Sequence, residues 1–263
     1  MAASRHVLIL GGHGKVSQLL TPLLLKRSWT VTSVIRAQDQ VPTIEKLGAG
    51  QPGKLNVLVR SIEDITSQEQ AASILTEVKP DYIAFSAGAG GKGAPERTFK
   101  IDRDAAIHFV NAAAAIPSIT RFMIVSYVGS RRKGAPWWED GVWDEYHKNT
   151  NLGYFPNYYH SKLAADEALY EASKKSSTLV GISLRPGFLT TEPAGKVLLG
   201  RTPLKGVASR ASVARTADAL LAADGVKNCW LDLLDGEDEI EQAVQQAVKE
   251  GVDAAVGEPV YEG

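Results

Sequence analysis

Three glycines packed into four residues, Gly11, Gly12 and Gly14, follow a short apolar run, Val7 to Leu10, and the pattern suits a phosphate cradle. Gly11 and Gly12 supply a tight turn and bare backbone that lets a pyrophosphate approach. Gly14 removes the Cβ that would keep phosphate oxygens away from the N-terminus of the next helix. The spacing, Gly11-x-x-Gly14-x-x-Ser17, differs from the dehydrogenase fingerprint G-x-G-x-x-G, although Gly12 and Gly14 also form a G-x-G. Context strengthens the pattern, because a second strand-like run, Thr30 to Ile35, ends at Arg36. NAD-specific proteins of this architecture place an acidic residue there to accept hydrogen bonds from the ribose hydroxyls, whereas a guanidinium prefers a 2′-phosphate. NADP is therefore the expected cofactor. His13 and Lys15 lie close enough to help, though His13 also suits a plain turn residue, and Asp39, past the strand end, keeps NAD as the lesser alternative.

Other residues could carry chemistry. Ser86-Ala87-Gly88 opens a second glycine cluster, through Gly91, at the C-terminal end of the strand Asp81 to Ser86, the edge where an open parallel sheet binds ligands. Tyr158 and Lys162 stand four residues apart, one face of a helix, a spacing that an ordinary amphipathic helix also satisfies. Residues 127–157 carry Arg131-Arg132-Lys133, Trp137, Trp138, Trp143 and Tyr154 with little helical period. A long aromatic loop leaving the ligand edge suggests a substrate lid over these tryptophans, with packing on its own domain or on a partner subunit as the alternative. Asp102 and His108 fall on a long helix, Glu96 to Ala115, where surface or packing roles are expected. Asp235 to Glu241 lacks the ligand alternation of a calcium loop, so no metal is expected. Three basic residues in one loop are too few for a nucleic-acid footprint.

The elements that must position these residues alternate. After the glycine loop, Val16, Leu19, Leu20, Leu23 and Leu24 repeat at helical spacing, with Pro22 expected to kink the helix. A short helix over Pro42 to Leu47, a strand over Leu55 to Val59 and a helix opened by Thr66, with Glu69 in capping-box spacing, come next. Further strands are expected at Arg121 to Ser126, Thr178 to Leu184 and Cys229 to Leu234, with a helix over Tyr158 to Lys174. Parallel strands need helical crossovers, so this rhythm implies an α/β, Rossmann-like, doubly wound parallel sheet of about seven strands.

At 263 residues and 44% hydrophobic content the chain is long enough for one large domain, taken here as 1–263 with a substrate side built from 127–157 and 187–215. A net charge of −1 excludes any global pull toward nucleic acid or anionic membrane. The lone Cys229 rules out an intramolecular disulfide and suits a core position. No apolar run approaches the ~18 residues of a membrane span, and the N-terminus reaches its first strand too soon for a signal peptide, so the expected location is cytoplasmic. A monomer or homodimer acting on a small molecule is the expected state.

In this order the motifs resemble the short-chain dehydrogenase/reductase superfamily, most closely its atypical, NmrA-like, epimerase/dehydratase-like branch. The matching residues are the Gly11–Gly14 loop, Arg36, Ser86-Ala87-Gly88, Arg121-Phe122, Tyr158-Tyr159-His160-Ser161-Lys162-Leu163-Ala164-Ala165-Asp166, Arg185-Pro186-Gly187 and Ser209-Arg210-Ala211-Ser212-Val213-Ala214. The resemblance implies an NADP(H)-binding oxidoreductase in which Tyr158 is the general acid or base and Lys162 lowers its pKa and bonds the cofactor ribose. It implies a catalytic serine near the exit of strand five, where Val125-Ser126-Tyr127-Val128-Gly129-Ser130 leaves open whether the slot holds Ser126 or Tyr127. The implied cofactor contacts are Gly11, Gly12, His13, Gly14, Lys15, Val16, Arg36, Ser86, Ala87, Gly88, Lys162, Pro186, Gly187 and Phe188. Many atypical members keep the cofactor site and lose part of the catalytic set. A non-catalytic NADP sensor, or an epimerase or dehydratase with tightly bound cofactor, are the alternatives.

Overall fold

Val7, Leu8, Ile9 and Leu10 are all fully buried, and they alternate between two apolar layers: Val7 and Ile9 face one, Leu8 and Leu10 the other. A strand covered on both faces has no solvent side to make polar, which is why its sequence is a continuous aliphatic run. The computed structural model describes residues 4–89 and 95–263, so Gly90 and Gly91 of the second glycine cluster lie outside the described residues.

In chain order the first half holds β1 (His6–Leu10), α1 (Lys15–Lys26), β2 (Thr30–Ile35), α2 (Val41–Glu45), β3 (Lys54–Val59), α3 (Gln68–Val78) and β4 (Tyr82–Phe85). Next, α4 (Pro95–Thr98) runs through a π-helical stretch, Phe99–Ala105, into α5 (Ala106–Ala114), followed by β5 (Arg121–Val125). A short α6 (Val142–Tyr146) and a second π-helical stretch, His147–Tyr154, lead to α7 (Pro156–Lys175). The chain ends with β6 (Val180–Pro186), β7 (Phe188–Thr190), β8 (Val197–Gly200), β9 (Val207–Ser209), α8 (Arg210–Ala222), β10 (Cys229–Asp235), α9 (Ile240–Glu250) and α10 (Pro259–Glu262).

Eight strands share one sheet in the order β3-β2-β1-β4-β5-β6-β10-β8. Every neighbouring pair is parallel except β10 with β8. The seven expected strands are the parallel ones. β8 adds an antiparallel edge, and β7 pairs with β9 in a separate two-stranded parallel sheet. These extra strands run only three or four residues, too short for a periodic signal. Leu20 and Leu24 of α1, Val213 and Leu220 of α8 and Val244 of α9 cover one face of the sheet; Leu75 of α3, Phe109 of α5 and Leu169 of α7 cover the other. Each such side chain contributes on the order of 1.5–3 kcal/mol when fully buried.

α1 contains Pro22 and runs on to Lys26. Two local expectations need correction. The cap of α3 is Ser67, whose Oγ accepts from the Gln70 N–H, while the Gln70 side chain accepts from the Thr66 N–H at 2.7 Å; the capping pair is thus Ser67 with Gln70, not Thr66 with Glu69. Residues 127–157 are not a plain loop, since they contain α6 and the π-helical stretch that delivers the chain to α7. Among the described residues no helix is long and apolar enough to cross a membrane.

Candidate active site

The order of strands reverses around β1, and there the C-terminal ends of β1, β2 and β4 open a cleft of about 320 Å³. Gly11, His13, Gly14, Arg36, Ser86, Ala87 and Gly88 line it, together with Arg60, Arg97 and Ile101. Bare backbone is a steric necessity at its floor. Gly11 has φ +87°, and a Cβ on it would lie 2.6 Å from the Ala87 Cα; one on Gly12 would lie 1.8 Å from the Ser33 Oγ. The Gly12 N–H bonds the Val34 carbonyl at 2.8 Å, fastening the loop to β2. Gly14 caps α1 without a side-chain hydrogen bond, and the first turn carries no acidic residue, so an anion meets no competing carboxylate there. Ser17 Oγ is buried beside it with no partner among the described residues. A glycine floor, an uncapped helix start and an arginine at the end of β2 fit the diphosphate and ribose of a nicotinamide dinucleotide.

Gly12 and Val16 are buried and Lys15 is exposed, and none of the three is among the lining residues. Pro186, Gly187 and Phe188 stand two strands away. The Pro186 carbonyl accepts from the Val128 N–H at 3.0 Å, the Gly187 N–H bonds Leu233 at 3.0 Å, and Phe188 is exposed at the start of β7.

Tyr158 and Lys162 share a face of α7 as expected, with the Lys162 Nζ 5.9 Å from the Tyr158 ring centre. Lys162 is buried, and its ammonium donates to the Val125 carbonyl at the end of β5 across 2.7 Å. Desolvation is the main cause that pushes the Tyr158 phenol above its ordinary value, and the Asp102 and Asp166 carboxylates add to it. These causes all act in the opposite direction to the lowering by Lys162 that the resemblance implies.

The two residues at the strand-five exit take different partners on α7. Ser126 is buried and donates to Asp166 Oδ2 at 2.5 Å, while Tyr127 packs its ring 5.1 Å from that of Tyr158. The Tyr127 hydroxyl donates to Asn151 Oδ1 at 3.0 Å, and Asn151 in turn donates to the Gly129 carbonyl at 2.9 Å. Burial, with Tyr146 and Tyr158 nearby, pushes the Tyr127 phenol up as well.

Asp102, read from sequence as a surface or packing group, is 1% exposed and accepts from the Ala89 N–H at 2.9 Å. It pins the Ala87-Gly88-Ala89 turn that lines the cleft. Burial pushes its carboxyl up, and the Lys162 charge and the Ala89 bond oppose that shift. It links the two halves of the site.

Trp137, Trp138 and Trp143 are not among the cleft-lining residues. Both Trp137 and Trp138 donate their indole N–H to the Thr202 carbonyl, at 2.9 and 2.7 Å, and the buried Arg131 guanidinium lies 5.5 Å from each ring. Trp143 stacks on Trp138 on one side and His147 on the other. The three form a packed aromatic cluster, of which Trp137 and Trp138 flank a buried cation.

Comparisons with known proteins agree with this geometry. A family profile described as NAD(P)H-binding matches residues 11–224. A Schizosaccharomyces pombe protein designated UPF0659 is 34% identical over 249 residues, 92% of this chain and 95% of the relative. A Bacillus subtilis protein named an uncharacterized sugar epimerase is 29% identical over 91% of this chain and 99% of its own length. The solved structure of a putative NAD-dependent epimerase/dehydratase from Bacillus halodurans superposes with a TM-score of 0.71 at 23% identity, covering 92% of this chain and 100% of that one.

Proposed function

The chain belongs to the NAD(P)H-binding family, and we propose that it is an NADP(H)-dependent oxidoreductase acting on a small organic carbonyl or carbinol. The observation that carries this reading is Lys162: a buried ammonium one turn from Tyr158, fixed to the end of β5 and electrostatically coupled to Asp102, which holds the cleft floor. When bound, the nicotinamide supplies or accepts a hydride. The glycine turn admits the diphosphate and Arg36 takes the 2′-phosphate. Lys162 has three donors, of which Val125 uses one, leaving two for the ribose hydroxyls. Tyr158, kept protonated by its surroundings, donates to the carbonyl oxygen as negative charge develops there.

The test is NADPH consumption across a panel of aldehydes and ketones, with cofactor affinity titrated in parallel. The expected result is turnover on at least one member and a ~10²–10⁴-fold slower Tyr158→Phe variant with NADPH affinity unchanged. Tight NADPH binding with no turnover anywhere would remove the reductase reading and leave a binding protein. The name of the Bacillus subtilis relative favours a second reading, an epimerase that takes and returns the hydride. Cofactor that copurifies and never needs regeneration would point there.

A further inference from the structure

Arg36 and Arg60 stand abreast at the mouth of the cleft. The last register pair of β2 and β3 is Ile35 with Val59, and the Arg60 N–H continues that ladder by bonding the Ile35 carbonyl at 2.8 Å. One step further along a parallel pair places residues 36 and 60 opposite each other, with their side chains on the same face of the sheet. Both are exposed and both line the cleft that contains Gly11 and Gly14. Among the described residues neither has a carboxylate partner, and the Arg60 guanidinium bonds only the carbonyl of its neighbour Val59, at 3.0 Å. The third arginine of the lining, Arg97, is ion-paired with Glu63 at 2.8 Å.

Like charges directly opposite one another on neighbouring strands are unfavourable, and arginine cannot relieve the conflict by losing its proton near neutral pH. A doubly charged anion held between two guanidinium forks converts the repulsion into several charge-assisted hydrogen bonds. We propose that Arg36 and Arg60 form a two-arginine clamp for the 2′-phosphate of NADP(H), which makes Arg60, at the end of β3, a determinant of cofactor choice alongside Arg36. The inference rests on the reading of the cleft as an NADP(H) site. It adds that an adenosine lacking the phosphate leaves the pair repulsive, so the site selects against NADH as well as for NADPH.

The experiment is calorimetric titration of wild type, Arg36→Gln, Arg60→Gln, Arg60→Lys and the double glutamine variant with NADPH and NADH. The fragments 2′,5′-ADP and 5′-AMP isolate the phosphate itself. Arg60→Gln is expected to weaken NADPH and 2′,5′-ADP by ~10-fold or more while NADH stays within ~3-fold, and Arg60→Lys to recover part of the loss. Without ligand, Arg60→Gln is expected to melt no lower than wild type, because the substitution relieves repulsion and breaks no ion pair. If wild type prefers NADPH and Arg60→Gln keeps that preference in full, the clamp is overturned while the NADP(H) reading stands. Equal weakening of NADPH and NADH also overturns it, because Arg60 would then serve a part common to both cofactors. Wild type that binds both alike, and 2′,5′-ADP no better than 5′-AMP, would sink the NADP(H) reading and the clamp together.

Discussion

Ser126 and Asp166 meet across 2.5 Å, hydroxyl to carboxylate, with both side chains buried. Ser130 reaches the same carboxylate oxygen at 2.7 Å, so Asp166 ties the end of β5 and the turn after it to α7. The bond tethers the strand end to the helix, and Tyr127 packs against Tyr158. Ser126→Ala is therefore expected to lower stability by ~1–3 kcal/mol, the cost of an under-satisfied buried carboxylate, with little change in turnover per folded molecule. Tyr127→Ala, which removes the ring packed on Tyr158, is expected to slow turnover ~10²-fold through misplacement of the donor. Denaturant midpoints and single-turnover rates read the two effects separately. A Ser126→Ala protein as stable as wild type but slowed as much as Tyr158→Phe would return the serine to the catalytic set.

The environment of Tyr158 sets the pH behaviour. Burial, Asp102 and Asp166 all disfavour the phenolate, so the hydroxyl keeps its proton through the neutral range. In the proposed reaction the group would start as a proton donor, suited to reduction and ill suited to act as base at neutral pH. Reduction by NADPH is expected to show no loss from tyrosine ionisation between about pH 6 and pH 9, whereas oxidation by NADP should rise with pH as phenolate becomes accessible. Profiles of kcat/KM in both directions check this. A reductive profile that falls tenfold per unit near neutrality would show that bound cofactor reverses the shift.

Asp102 joins the cleft floor at Ala89 to Lys162, and its two tasks can be separated. Asp102→Ala strands the Ala89 N–H and removes the carboxylate whose charge acts on Lys162, so NADPH affinity is expected to fall ~10-fold and stability by ~1–3 kcal/mol. Asp102→Asn keeps an acceptor for Ala89 and loses only the charge. The sign of the pH effect follows from the raised carboxyl. The folded state holds this proton more tightly than the unfolded chain, so the contribution is greatest below the ordinary value of 3.8 and is lost as pH rises through the higher folded value. Melting curves across that acid range should be flatter for Asp102→Asn than for wild type. Identical slopes in the two proteins would mean that the carboxylate is not the titrating group.

The legible parts of this molecule are those whose cause is local. A four-residue aliphatic run, crowded glycines and an arginine at the next strand end all fall within residues 7–36, and Gly11, Gly14 and Arg36 line one cleft. Asp102 was hidden by its type and not by its spacing: it falls on one helical face with the buried Ala105, Ala106 and Phe109, but a carboxylate on a helix ordinarily reads as a surface group. Ser126 and Tyr127 were undecidable because both side chains reach α7, Ser126 at Asp166 and Tyr127 at Tyr158, and adjacency in sequence does not say which partner each takes. Arg131, Arg132 and Lys133 look alike as a basic run yet differ entirely: Arg131 is fully buried, Arg132 pairs with Glu167 at 2.5 Å on the surface, and Lys133 is exposed. What separates them is the C-terminal segment, more than a hundred residues away, whose approach no local pattern announces.

That segment holds the tryptophan cluster in place. Glu258, fully buried, accepts from the Arg132 and Lys133 N–H groups at 2.9 and 3.1 Å and lies 3.4 Å from the Arg131 guanidinium. Arg131 donates to the Val256 carbonyl at 2.9 Å and to that of Ala254, and burial lowers its pKa to about 10 without removing its charge at neutral pH. Breaking one partner of a buried pair leaves the other uncompensated, so Glu258→Gln is expected to cost about 3–5 kcal/mol, a drop of roughly 6–20 °C in Tm for a chain of this size. Trp137→Ala, which uncovers one side of the same guanidinium, should reduce stability more than it changes NADPH affinity. Thermal melts and tryptophan emission, each with and without saturating oxidised NADP, test both. If the tryptophans are a fixed support, emission shifts in Glu258→Gln and stays flat when oxidised NADP is added to wild type. A wild-type signal that moves strongly with cofactor, in a protein whose Glu258→Gln variant melts normally, would instead make these tryptophans a closing lid.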